Sequence, residues 1–282
     1  MLKFPEFLNL PLAEWIDTAM KWMLANWGGF FDILGNILLF FLLYLERFFL
    51  WLPWPLLIGG VGFLTWRLMG SWWKSLIMVM LLFVIGCFGY WQMTMMTLAL
   101  VAGAVCISLA VGIPVGILMA RSERLEAIIK PILDAMQTLP SFVYLIPVLM
   151  FFGLGKVPAL FATIVYSMPP VIRLTNVGIR EVSLEVVEAA QAFGSTQWQI
   201  LLKIQLPLAR PTIVVGVNQT TMMALAMVVV ASMIGAKGLG MEVLLAINRI
   251  EVGRGFEAGL SIVFLAIVVD RITHAMAMRR LD

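Results

Sequence analysis

Apolar residues run through this chain in long blocks separated by short charged breaks. A membrane-spanning helix needs about 20 mostly apolar residues. Thr94–Ala120 contains no Asp, Glu, Lys or Arg and is the clearest candidate. Ser75–Trp91 is also uncharged, as are Ala135–Gly155 and Val157–Ile172, which follow each other across the turn GLGKVP. Thr212–Ile234 and a last segment centred on Ala258–Val269, with Phe256 and Asp270 near its ends, complete the series. Before these, Ile33–Tyr44 is apolar, Glu46 and Arg47 intervene, and Phe48–Trp66 is uncharged but holds Pro53 and Pro55. Two crossings, at 33–51 and 54–66, are expected there, which gives eight spans, or seven if the first lies in the membrane interface. Leu12–Trp27 differs: Leu12, Trp15, Ile16, Ala19, Met20 and Met23 alternate with Glu14, Asp17 and Lys21 at helical spacing. That pattern suits a helix lying in the interface or packed on the soluble side.

Composition turns these blocks into a membrane protein. Of 282 residues, 62% are hydrophobic and 12% charged, and the mean hydropathy is +1.01, whereas a soluble domain is about a quarter charged. So few charges cannot cover a soluble surface. The net charge of +3 is spread among loops, with no clustered basic face of the kind a nucleic acid requires. Cys87 and Cys106 lie inside apolar runs without metal or disulfide spacing. His274 stands near the end of the last span. Neither a metal site nor a catalytic residue is indicated. The first 28 residues lack the continuous apolar core of a cleavable signal.

The bases orient the spans, since Lys and Arg favour the cytoplasmic side. Placing Arg121, Arg124 and Lys130 inside also puts Arg173, Arg180, Lys203, Arg210, Arg271, Arg279, Arg280, Arg67 and Lys74 inside, and makes the C-terminus cytoplasmic. Gly235–Gly255 then falls outside despite Lys237, Arg249 and Arg254, which Glu242 and Glu251 partly offset. With eight spans the N-terminus is inside, and with seven it is outside.

The inside segment EAAQAFGSTQWQILLKIQLP, residues 188–207, is half-polar and reads as helix, turn, helix. Ser183 caps the first helix and Glu185 lies near its positive end. Gly194 ends that helix, Thr196 and Gln199 form a capping box for the second, and Pro207 is expected to prevent a smooth continuation. Such a pair is either an ordinary loop or a docking surface. The chain also lacks a G-x-x-x-x-G-K-[ST] phosphate loop: GLGK at 153–156 is followed by Val157, and position 150 is Met. Any ATP-derived energy must come from another subunit. An ion-coupled carrier usually carries carboxylates within its spans, whereas Asp134 and Asp270 are read here as lying at span ends; backbone carbonyls that bind sodium keep that alternative open.

Glu188-Ala189-Ala190, then Gly194, then Ile204-x-Leu206-Pro207 resembles the EAA signature of ABC-importer permeases in every element and spacing. DAMQTLPSFVYLIPVLMFFGLGKVP (134–158), YSMPPVIRLTNVGIREV (166–182) and GAKGLG (235–240) are similar to the glycine betaine/proline betaine branch of that family, over residues 90–275. The resemblance implies an all-α, polytopic fold of the type I ABC-importer permease. An N-terminal amphipathic segment (1–30) and N-terminal membrane helices (31–91) would precede a permease core (92–282), with coupling helices at 183–207. It implies that Glu188, Ala189, Ala190, Gly194, Ile204, Leu206 and Pro207 serve contact with an ATPase. It further implies two copies of the chain, two ATP-binding subunits holding ATP and Mg, an extracytoplasmic substrate-binding protein near Gly235–Gly255, surrounding membrane lipid, and a place in the bacterial cytoplasmic (inner) membrane. The chain itself would hold no cofactor. Lys237 stands where the family pattern has proline, a departure that bears on contact with the binding protein rather than on the fold.

Candidates for the translocation path are Asn218, Gln219 and Thr221, a polar cluster within an apolar span, with Met222 beside them and Tyr144 between Pro140 and Pro147. Asn218 and Thr221 share a helix face, and Gln219 points about 100° away. Each polar residue either lines the path or bonds helix to helix, and each methionine either lines a flexible path or fills a core. Pro140, Pro147 and Pro169-Pro170 are either hinges or fixed packing features.

Overall fold

The computed structural model describes residues 11–278, with side chains through Met276. Where no water is available, backbone groups must bond within their own segment, and the apolar runs accordingly form helices. The order is α1 (Leu12–Trp51), α2 (Trp54–Met69), α3 (Trp72–Cys87), α4 (Trp91–Arg121), α5 (Glu123–Thr138), α6 (Ser141–Phe152), α7 (Lys156–Ser167), α8 (Pro169–Arg180), α9 (Leu184–Ala192), α10 (Gln197–Ile200), a π-helical turn (Leu201–Gln205), α11 (Leu206–Ala226), α12 (Val228–Met233), α13 (Leu239–Arg249) and α14 (Val252–Met278). Among the described residues, five helical runs are long and apolar enough to cross a membrane, or six if the bent pair α5–α6 counts as one. The seven or eight spans expected from sequence exceed this because α2 and α3 have 16 residues each, about 24 Å of helix against a hydrocarbon core of about 30 Å.

Long-range contacts define two ends of the bundle. At one end the Gly155 N–H donates to the Ile234 carbonyl, the Leu239 N–H donates to Thr97 Oγ1, and Lys156 pairs with Glu46 of α1. At the other end Arg180 donates to the Met119 carbonyl, and Arg121 stacks over Trp198. Helices α4, α7–α8 and α10–α12 run between these ends.

Helix α8 is the packing centre. Pro169, Pro170, Val171, Ile172, Thr175, Asn176, Gly178 and Ile179 are all buried. Glycines on its neighbours allow the close approach that membrane helices use. A Cβ at Gly116 of α4 would stand 2.6 Å from Thr175 Cβ and 2.7 Å from the Ile172 carbonyl oxygen, and one at Gly112 would stand 2.5 Å from Val171. On the other side, Gly216 of α11 faces the Val171 backbone, and Gly178 itself faces Thr212. Ser108 and Ser167 bond at 3.3 Å where α4 meets α7.

Several boundaries differ from the sequence reading, each for a local reason. No break separates residues 12–27 from 33–51; α1 is one helix of 40 residues, about 60 Å long. Ala135–Gly155 is not one span: α5 and α6 meet at 101°. Leu139, at ψ 132°, is extended as a residue before proline tends to be, and Pro140 opens the next helix. Pro147 and Pro169-Pro170, by contrast, sit within continuing helical runs. Pro207 does not stop its helix: Gln197–Met233 forms a single run of 37 residues. The π turn shifts the bond register, with the Leu206 N–H reaching Leu201. Pro207 then falls in the first turn of α11, where its missing N–H costs least. Asp270 lies inside α14 rather than at its end. Arg279 and Arg280 lie outside the described residues.

Candidate functional site

The EAA-like segment sits at the Arg180 end of the bundle. Ser183 is the N-cap residue of α9 but makes no side-chain capping bond; Glu185 occupies the first turn. The C-terminus is a Schellman motif. The Ser195 N–H donates to the Ala190 carbonyl and the Gly194 N–H donates to that of Gln191, with Gly194 at φ +81°. Both orphan carbonyls are thereby satisfied. The next helix opens with the full capping box: Gln199 N–H donates to Thr196 Oγ1, and the Thr196 N–H donates to Gln199 Oε1.

Helix α9 presents most of its surface outward. Ala190 is its one buried residue, while Glu188, Ala189 and Gly194 are exposed. Leu184 is exposed too, and Phe193 is 92% exposed. Glu188 has no ion pair or side-chain hydrogen bond among the described residues. It does not fix the shape of the helix pair. The far side of the segment is rooted: Ile200 and Leu201 are buried, and Leu201 packs with Ile179 and Ala209 beside Ile117, Ala120 and Leu206. Ile204 and Leu206 are half-buried, and Pro207 is exposed. The segment is therefore an apolar-rich, uncovered helix set on a rigid base.

The path candidates separate. Asn218 Nδ2 donates to Asp270 Oδ1 of α14 at 2.9 Å, and the buried Thr221 hydroxyl donates to the Val217 carbonyl of its own helix. Met222 packs into the core shared by α2, α3, α4 and α14. These three look inward within the chain, and Asn218 joins α11 to α14. Gln219 alone of the four is exposed. Tyr144 packs on the cluster around Leu38, Leu160 and Met227, and its hydroxyl is buried without a hydrogen-bond partner.

Sequence reasoning missed the polar clasps. Arg180 pairs with Glu126 at 2.9 Å and donates to Asn176, while Asn176 donates to Glu126. Arg173 pairs with Asp134 at 2.6 Å. At the opposite end Arg254 is held by Glu242 and Glu251. Charges next to apolar runs were a signal, but their partners lie far away in sequence.

Known proteins are similar over most of this chain. Residues 112–281 match the family described as binding-protein-dependent transport system inner membrane component. The glycine betaine/carnitine transport permease protein GbuB of Listeria monocytogenes is 46% identical, with 96% of this chain and 97% of that protein covered. The glycine betaine transport system permease protein OpuAB of Bacillus subtilis is 42% identical, with 96% of each covered. A chain of the MetNI methionine ABC transporter, solved in inward-facing conformations, shares the fold at a TM-score of 0.56 and 21% identity, over 66% of this chain and 91% of that one. The exposed EAA helix pair, the helical membrane bundle that carries it and these likenesses agree: the chain belongs to the family of binding-protein-dependent transport system inner membrane components, the membrane permeases of ABC importers.

Proposed function

We propose that this chain is one of two identical membrane subunits of an ATP-driven importer of a compatible solute. The solute belongs to the glycine betaine class, which includes proline betaine, choline, carnitine and trimethylamine N-oxide. The names of the similar permeases support the solute class. The observation that carries the coupling role is α9: a short, ordered helix with exposed Leu184 and Phe193 and an unpartnered Glu188. An apolar helix set into a groove is a recurring docking mode, and the groove here belongs to an ATPase. That ATPase, two copies per complex, holds ATP and Mg, and this chain supplies the contact. The Arg180 end faces the cytoplasm of a bacterium, as its basic residues favour. The Gly155 end, with Gly235–Gly255, faces a solute-loaded binding protein. In this reading α2 and α3 are short spans, and α1 packs along the Gly155 end, where Phe31 stacks on Phe151 and Glu46 pairs with Lys156.

The helix run explains how force would travel. Closure of the ATPase dimer on ATP draws the coupling segments together. The run from Gln197 to Met233 is continuous, about 55 Å long, so displacement at α10 reaches α11 through the π turn Leu201–Gln205. Gln219, exposed on one protomer, faces the path between the two copies. Asn218, Thr221 and Met222 keep α11 seated against its neighbours, and Tyr144, with its unpartnered hydroxyl, is the path residue contributed by α6.

Glu188→Gln or Gly194→Ala is expected to leave membrane insertion normal while ATP-driven uptake of glycine betaine and co-purification of the ATPase both fall. Unchanged uptake in both variants would remove the docking assignment.

A further inference from the structure

Two arginines tie the coupling segment to one place, the last turn of α4. Arg180 is the final residue of α8 and lies just ahead of α9. Its guanidinium donates to the Met119 carbonyl at 3.0 Å and to Asn176 Oδ1 at 3.0 Å, and it pairs with Glu126 of α5 at 2.9 Å. It thus adds a second donor to the Met119 carbonyl, which also accepts from the Ser122 N–H. On the other flank Arg121, the last residue of α4, places its guanidinium carbon 4.7 Å from the centre of the Trp198 ring in α10. Below it, Ile117 and Ala120 of the same turn pack against the cluster that holds Leu201, the first residue of the π turn. Residues 117–121 are therefore touched from both sides of α9, by α8 before it and α10 after it. The rest of α9 is nearly uncovered.

We infer that the last turn of α4 is the transmission junction of this permease, with Arg121, Trp198 and Arg180 as positioning residues that turn movement of the coupling segment into movement of α4. The inference rests on the reading of the chain as an ATP-driven permease. Trp198 is 61% exposed, and as a buried anchor it would be poorly placed. As a flat plate under a guanidinium it holds α10 to α4 while letting the two slide. The π turn between Trp198 and α11 offers the adjustment point, a common use of such turns. The Arg180 clasp, whose charge-assisted bonds join α8 to α4 and α5, is the stiff arm of the pair.

The test uses the full chain assembled with its ATPase and binding protein in proteoliposomes, comparing wild type with Arg121→Ala, Trp198→Ala, the double variant and Trp198→Phe. Glycine betaine taken up per ATP hydrolysed is measured beside ATPase retained per permease. Exposed cation–ring contacts of this kind predict about a two- to fivefold fall in uptake per ATP for either alanine variant. The double variant should be no worse than the singles, Trp198→Phe should restore most of the ratio, and ATPase retention should be unchanged. Hydrogen exchange of residues 117–121 and 197–205, with and without trapped ATP, is read on the same samples. Both segments should respond together in wild type and separately in the double variant. An unchanged uptake ratio, a loss matched by loss of bound ATPase, or exchange still linked in the double variant overturns the inference. Failure of wild type to move glycine betaine would remove the solute assignment, while the exchange comparison would still decide the junction.

Discussion

At the scale of single residues, glycine does two separate jobs here. Gly194 takes φ +81°, and a Cβ at this position would meet nothing within 4 Å. Its replacement by alanine is therefore a matter of backbone conformation alone, worth about 1–2 kcal/mol in the left-handed region. Gly194→Asn should be milder than Gly194→Ala, because asparagine tolerates that conformation. The ordering of glycine, asparagine and alanine in ATPase co-purification would check this. An alanine variant equal to wild type would show that the Schellman turn does not matter for docking. Gly116 is the opposite case, with ordinary helical backbone and no free space.

At the scale of elements, the contact of α4 with α8 sets the core. Gly116→Val puts side-chain atoms where Thr175 and the Ile172 backbone already stand. Overpacking of this kind costs about 1–3 kcal/mol, and here the obstacle includes backbone. The variant should lower the thermal unfolding temperature in detergent and reduce membrane accumulation, whereas Gly259→Val in α14, with nothing within 4 Å, should leave both near wild type. Elements were also where the sequence was most readable. The uncharged run Thr94–Ala120 became α4, and the Thr196/Gln199 box and the Gly194 stop were both legible because caps are local chemistry. Pro207 was misleading for a physical reason: it follows a π turn whose first residue, Leu201, packs against Ile179 and Ala209, a contact that no local pattern reveals. Whether Asn218 lined a path or bonded helix to helix was open in the sequence because its partner Asp270 lies 52 positions away. Arg121 and Trp198 gave no signal at all until the fold brought them together.

At the scale of the whole molecule, the N-terminal helix is bound to the core by an ion pair as well as by packing. Glu46 of α1 is buried and pairs with Lys156 at the start of α7. Removing one member leaves the other uncompensated, which costs about 3 kcal/mol for a buried pair. Lys156→Ala should therefore lower thermal stability more than the double change Glu46→Gln with Lys156→Met, which removes both charges. The reverse order would show that α1 is held by its apolar contacts alone. The two ends of the bundle divide the labour of the proposed importer. In that proposal the exposed α9 docks an ATPase at the Arg180 end, and the Gly155 end, stitched by Thr97, Glu46 and Glu242, is assigned to the binding protein. The most direct measurement is glycine betaine uptake into proteoliposomes holding this chain with its ATPase and binding protein, beside proteoliposomes holding the chain alone. Uptake that requires both partners and internally or externally supplied ATP on the ATPase side is the expected result. Accumulation by the chain alone, driven by an ion gradient without ATP, would contradict it.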